Sequence, residues 1–207
     1  MDEHYAINIG RQIGSGARNV AAILSSELGI SVYDKKLLKS ASDESGFSEE
    51  FFVKADEETS RKPLRSLFLT HLSEGGFSRN FMSNDSMFKM QSDAILKIHS
   101  QEDCIFIGRC ANYILRESSR TLNLFLTATP EDRIRRICSS DSSCTERKAM
   151  KMIEDGDRKR ASYYNYYTGT EWGSSMAYDL CLSTSVFGVE GCAGIILDIA
   201  RKKLGIK

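Results

Sequence analysis

The chain has 207 residues, with 28 acidic and 28 basic side chains in balance. That length suits one domain of ordinary size with a sizeable core, and the balance leaves no whole-molecule field to draw the protein onto nucleic acid or an anionic membrane, so any anion binding is local. The start, MDEHYAINIG, lacks the basic region and apolar run of a signal peptide, and no later stretch approaches the roughly 18 apolar residues of a membrane helix; a cytoplasmic protein is expected.

Short apolar runs alternate with helix-length segments, the pattern of a parallel sheet covered by helices on both faces. The first strand is expected at 6–9. A glycine-rich turn follows, then a helix in which Val20, Ile23, Leu24 and Leu28 fall at helical spacing, with Gly29 at its C-terminal cap. A second strand is expected at 31–33. Residues 40–85 are polar, Ser-rich and weakly periodic, as in an insertion over a site. Met87, Met90, Ala94, Ile95 and Ile98 then form an apolar stripe before a third strand at 104–107, and a fourth follows at 122–126. In Thr129-Pro130-Glu131-Asp132, Thr caps, Pro takes the first helical position and the acids favour the positive end of the dipole; Ile134 and Ile137 are expected to face inward. Residues 138–167 are highly charged and read as a second insertion, with a long helix from near Thr145 that turns Ala149, Met152 and Ile153 inward. A fifth strand is expected at 180–182 and a last helix at 189–204, with Lys202 and Lys203 near its C-terminal end.

The segment Ile9-Gly10-Arg11-Gln12-Ile13-Gly14-Ser15-Gly16-Ala17-Arg18-Asn19 leaves a strand and opens a helix. Successive backbone N–H groups in such a turn point into one concavity, and the helix N-terminus adds partial positive charge, which suits a phosphate group. The phosphate-binding pattern G-x-x-x-x-G-K-[ST] is not met: with Gly16 as its second glycine, Arg11 stands at the first and Ala17 replaces the lysine. Charge neutralisation then falls to Arg18, Arg11 or a metal ion. A ligand-free strand-to-helix turn is the plain alternative.

Other candidates are fewer. Arg109 follows a strand and Gly108, which places it at the sheet edge where open α/β sheets bind ligands. Arg158 and Arg160 are two apart and share no helix face, so one can grip phosphate while the other pairs with an acid. Most of Tyr163, Tyr164, Tyr166 and Tyr167 are expected to pack, with one free to stack on a base. Asp34 suits a metal, a ribose hydroxyl or an N-cap for a helix beginning near Lys35. His4, His71 and His99 are isolated, and the cysteines (Cys104, Cys110, Cys138, Cys144, Cys181, Cys192) include no CxxC pair or Cys/His cluster. No residue is assigned as a metal ligand.

Four blocks of the sequence resemble the cytidylate kinase-like family of P-loop proteins, relatives of the nucleoside monophosphate kinases. They are Gly10-Arg11-Gln12-Ile13-Gly14-Ser15-Gly16-Ala17-Arg18, then Leu28-Gly29-Ile30-Ser31-Val32-Tyr33-Asp34-Lys35, then Ile107-Gly108-Arg109-Cys110-Ala111-Asn112-Tyr113-Ile114-Leu115. The fourth and most specific runs from Asp157-Arg158-Lys159-Arg160 through the tyrosines, Thr168-Gly169 and Trp172-Gly173 to Tyr178-Asp179-Leu180. The resemblance implies a P-loop kinase fold: a five-stranded parallel sheet with helices on both faces, made from 1–39, 86–137 and 168–207. It adds a helical acceptor-binding insertion at about 40–85 and a helical lid at about 138–167.

It also implies ATP as donor, Mg²⁺ as counterion and a nucleoside monophosphate, such as CMP or dCMP, as acceptor, with no DNA, RNA or membrane partner; a homodimer is compatible with it. Carried over by position, Arg11, Gln12, Gly14, Ser15, Gly16, Ala17, Arg18 and Asn19 would line the donor phosphates. Arg18, Arg109, Arg158 and Arg160 would act on the transferring group, and Asp34, Arg109, Tyr163 and Tyr167 would contact the acceptor. True cytidylate kinases keep the P-loop lysine and a threonine where this chain has Ala17 and Asn19, and their acceptor motif is not reproduced by Tyr33-Asp34-Lys35-Lys36. A nucleotide-binding regulatory protein with weak or no catalysis, and a kinase for another small metabolite, are the alternatives.

Overall fold

The computed structural model describes residues 4–34 and 84–206. The expected insertion at 40–85, apart from its last two residues, lies outside these, as do His71 and the Lys35-Lys36 pair. Met1–Asp34 and Ile95–Lys207 form one compact unit and Lys35–Ala94 another.

The first unit is built on a fully parallel sheet in the order β2-β3-β1-β4-β5, from β1 (Ala6–Arg11), β2 (Ser31–Tyr33), β3 (Cys104–Ile107), β4 (Thr121–Thr127) and β5 (Leu180–Ser183). β1 is central, and its residues Ala6, Ile7, Asn8 and Ile9 are all buried, because a parallel strand covered on both faces carries little exposed side chain. It outruns the expected 6–9: Gly10 and Arg11 continue the ladder opposite Phe125 and Leu126. Arg11 is therefore held by the sheet at its C-terminal edge rather than by a loop.

One face carries the apolar core. Ile7, Ile9, Ile105, Ile107, Leu122, Leu124 and Leu126 meet Val20, Ala21 and Leu24 of α1 (Ala17–Leu28), and Ala193, Ile196 and Ala200 of the last helix. Burial of apolar surface stabilises by roughly 25 cal/mol per Å² removed from water, and this layer is where the fully buried aliphatic side chains gather. The opposite face is aromatic and polar. Asn8 and Asn123 are register partners whose amides bond at 2.8 Å, while Phe125 packs edge-on against Trp172 and beside Tyr178. Gly10 has no Cβ because one there would lie 2.7 Å from the Phe125 ring.

Further helices are α2 (Asn84–His99), in which Met87, Gln91, Ala94, Ile95 and His99 are buried; the short α3 (Ala111–Ile114); and a hairpin of α4 (Pro130–Ser140) and α5 (Glu146–Thr168). Thr129 caps α4 as expected, its hydroxyl accepting from the Asp132 N–H. The inward residue of α4 is a different one: Arg133 is buried, while Ile134 and Ile137 are only half-buried. On α5, Ala149 and Ile153 face inward but Met152 is 48% exposed. The inward line continues through Gly156, where a Cβ would meet Ile13 at 2.8 Å, to Tyr164, and Met152 falls beside it. The last helix, α6 (Thr184–Leu204), begins before Val189 but breaks at Gly188, whose φ of 72° and ψ of 174° no helix contains. No helix among the described residues is long and apolar enough to cross a membrane.

Candidate anion site at the sheet edge

β1 passes through Gln12 to Gly16 into α1 at the C-terminal edge of the sheet, where open α/β sheets take ligands. Gly14 (φ 75°) and Gly16 (φ 80°) are left-handed, which residues with a Cβ rarely adopt. Gly16 is the N-cap and brings no side chain to satisfy the first turn. The N–H groups of Gly14, Gly16, Ala17 and Arg18 consequently have no acceptor among the described residues. Ser15 is 1% exposed and its hydroxyl has no hydrogen-bond partner there. Buried polar groups are nearly always paired, so this turn holds unspent donors of the kind an anion satisfies.

Cations gather beside it. The Arg11 side chain lies over Gly108, so closely that a Cβ there would fall 1.7 Å from Nη1, and Nη2 reaches Asp34 Oδ1 at 3.5 Å. Arg18, 69% exposed, donates through Nε to the other Asp34 oxygen at 3.1 Å. Burial, then Arg160, with Arg109 and Arg18 adding, push the Arg11 guanidinium down to about 9, against the pull of Asp34. Arg160 is also lowered, by burial first, with Arg18 and Arg109 opposing Asp157 and Asp34. Guanidinium groups held this close at neutral pH repel one another, and a bound anion would relieve them. Arg109 and Cys110 follow Gly108 with φ of 59° and 57°, so three consecutive residues are left-handed. That strained turn presents the Arg109 side chain beside Arg11.

Of the residues singled out by sequence, the fold brings together Arg11, Arg18, Arg109, Arg160 and Asp34 around the glycine turn. Asp34 is an ion-pair partner of two arginines. Gln12 accepts the Ala128 N–H at 3.4 Å, Ala17 is buried at the helix start, and Asn19 is exposed. Arg158 stands elsewhere: it is 73% exposed and 3.9 Å from Asp155. Tyr163 and Tyr167 pack edge-on at 4.8 Å. Tyr164 is the buried tyrosine of α5; its hydroxyl accepts from Asn112 and it stacks on Tyr178, whose own hydroxyl is raised by burial and then by Tyr164.

The residues that touch the turn most closely were not singled out. Asp157 Oδ1 accepts the Ile13 N–H at 2.8 Å, and Arg133 Nε donates to the Ile13 carbonyl at 2.6 Å while its Nη2 pairs with Asp157. Arg136 donates to the Gly14 carbonyl at 3.1 Å and to Thr184 Oγ1, which donates in turn to the Ser15 carbonyl at 2.7 Å. Arg160, which sequence did single out, joins them by donating to the Arg11 carbonyl at 3.0 Å. Apart from Asp157, which opens the fourth block of the resemblance, the signal for them in sequence is negative: the α4 apolar stripe is too thin to bury that helix by itself.

A family model described as the cytidylate kinase-like family matches residues 6–186. A cytidylate kinase of Methanoculleus marisnigri is 31% identical over 126 residues, covering 61% of this chain and 66% of that one. One from Sulfolobus acidocaldarius is 25% identical over 190 residues, covering 92% and 91%. Among solved structures, an uncharacterised protein from Eubacterium ventriosum superposes with a TM-score of 0.70 at 22% identity, over 95% of this chain and 98% of that one. A shikimate kinase from Bacteroides thetaiotaomicron does so with 0.53 at 11%, over 94% and 97%. The parallel sheet and its helices are thus those of P-loop kinases, and the chain belongs to the cytidylate kinase-like family.

Proposed function

We propose that the protein is an ATP-dependent phosphotransferase whose acceptor is a nucleoside monophosphate, with CMP and dCMP as first choices. The observation that carries this reading is the set of amides at Gly14, Gly16, Ala17 and Arg18 that have no acceptor among the described residues, at the edge of a parallel sheet and flanked by Arg11, Arg18, Arg109 and Arg160. Phosphoryl transfer needs two oxygens aligned and positive charge spread around the transferring group; it requires no side-chain nucleophile. In this scheme the amides hold the donor phosphates, Arg18 and Arg160 neutralise charge on the moving group, and Arg109 grips the acceptor phosphate from the strained turn after β3. Tyr163 and Tyr167 are assigned to the acceptor side, and the long, 73% exposed Arg158 side chain to the transferring group once nucleotide is bound. The names of the curated relatives support a cytidine nucleotide as acceptor.

Among the described residues no three His, Cys, Asp or Glu side chains gather as metal ligands, and Asp34 already faces two arginines. Mg²⁺ therefore fits best as part of the nucleotide complex, riding on the phosphates and its own waters. When bound it supplies charge neutralisation between the donor phosphates, and the arginines supply the rest.

A coupled assay for ADP release against CMP, dCMP, UMP and small alcohols tests the reading. Arg18→Ala and Arg109→Ala are expected to lower kcat/KM by about a thousandfold, the lower end of the range for arginines that stabilise phosphoryl transfer. Equal rates for the wild type and both variants would remove these assignments. Ala17, which cannot bridge the donor phosphates, favours a second reading: a nucleotide-binding protein without transfer. Calorimetric ATP binding with no transfer to any acceptor would favour it.

A further inference from the structure

The glycine turn is held from behind by side chains to which the phosphotransfer reading gives no task. In a trans peptide the carbonyl of one residue and the N–H of the next lie on opposite edges of the same plane, so a fixed carbonyl fixes the direction of the following amide. Arg133 holds the Ile13 carbonyl and thereby turns the Gly14 N–H the other way. Thr184 holds the Ser15 carbonyl and does the same for the Gly16 N–H. Both of those amides lack an acceptor among the described residues. Between them, Arg136 holds the Gly14 carbonyl and also orients the Thr184 hydroxyl.

Asp157 completes a closed ring with Arg133 around the single residue Ile13, taking its N–H while Arg133 takes its carbonyl. Arg133 is 6% exposed, and a cation so buried persists only where carboxylate and carbonyl partners surround it. The backbones are packed as tightly as the side chains: a Cβ on Gly14 would meet the Arg133 carbonyl at 2.8 Å, and one on Gly156 would meet Ile13 at 2.8 Å.

We infer that Arg133, Arg136, Asp157 and Thr184 are positioning residues for the anion site: they grip the Ile13, Gly14 and Ser15 peptides from behind and aim the Gly14 and Gly16 amides into the concavity. The inference rests on the phosphotransferase reading for the identity of the anion, not for the grip itself. Because Ala17 brings no ammonium group to the concavity, the aim of these amides carries a larger share of phosphate binding than in a P-loop with lysine. The α4–α5 hairpin and the start of α6 then set the turn's geometry before any nucleotide arrives, the preorganisation that keeps a binding site from losing affinity to reordering.

Thr184→Val removes one hydroxyl at nearly constant volume, Thr184→Ser retains it, and Asp157→Ala opens the ring. The full chain is measured in two ways: amide hydrogen exchange over residues 12–18 without ligand, and calorimetric titration with ATP-Mg²⁺ and with tripolyphosphate. Thr184→Val and Asp157→Ala should exchange faster over that segment and bind either probe about tenfold more weakly, whereas Thr184→Ser should match the wild type. In the transfer assay the loss should fall on KM for ATP with kcat within about twofold, as for an interaction made equally in ground and transition states. Unchanged exchange in Thr184→Val would overturn the inference, as would unchanged affinity in a variant of a wild type that binds ATP. Should the wild type bind neither probe, the phosphotransferase reading falls, and the exchange comparison alone decides whether the grip exists.

Discussion

The turns after β1 and β3 leave neighbouring strands in the same direction and solve one steric problem in different ways. After β1, the left-handed positions are glycines, and the turn is immobilised by arginines, an aspartate and a threonine from other elements. After β3, only Gly108 is a glycine; Arg109 and Cys110 adopt positive φ with full side chains. A left-handed residue with a Cβ costs about 1–2 kcal/mol, and such strain persists where the surroundings over-determine it, commonly at ligand sites. The first turn presents backbone and must be free of side chains. The second presents a guanidinium and must carry one.

Gly108→Ala should break this pairing most severely, since the new Cβ would fall on Arg11 Nη1 at a residue already at φ 75°. The flexible end of Arg11 is the part that yields, so the guanidinium is expelled from its place over Gly108. We expect a loss of about 1–2 kcal/mol in urea denaturation and about hundredfold in kcat/KM. A variant with wild-type kinetics would show that Arg11 needs no such place.

Arg11→Met tests the charge rather than the space. The Arg11 guanidinium is lowered to about 9 in the fold, so the unfolded chain holds that proton more tightly and the cation destabilises the fold at pH values below about 9. Stability should therefore rise by roughly 1 kcal/mol at pH 7, as when a buried ion is replaced by an apolar side chain of similar size. The gain should shrink at pH 10, where the wild type begins to escape its own penalty. Phosphate affinity should fall at both. An equal gain at the two pH values would separate Arg11's effect from its ionisation.

The smallest effect isolates strain at Arg109. Both Arg109→Ala and Arg109→Gly remove the cation, but glycine adopts φ 59° without cost, so Arg109→Gly should be more stable by about 0.5–1 kcal/mol in thermal or urea unfolding. Identical stabilities would mean that the turn relaxes once the arginine is gone.

Strand centres, the caps at Gly29 and Thr129, the run of the last helix from Val189 and the glycine turn were legible because each follows from local chemistry. The C-terminal end of β1 was not: Gly10 and Arg11 have little strand propensity, and Phe125 and Leu126 recruit them. Arg133 carried no expectation, because arginine is usually exposed and gives no sequence signal of burial. Its burial depends on Asp157 and on the Ile13 carbonyl, 24 and 120 residues away along the chain. Asp34 read as a metal ligand, a ribose ligand or an N-cap, and its pairing with Arg11 and Arg18 appears only in the fold.

The sequence by itself determined the layered α/β architecture and the place of an anion-binding turn, because apolar periodicity and glycine conformational freedom act over a few residues. Only the tertiary structure decided which polar side chains hold that turn and which face its open side. Hydrogen bonds and ion pairs act over about 3 Å, and the chain brings Asp157, Arg136 and Thr184 within that reach only after the sheet and the hairpin have closed around it.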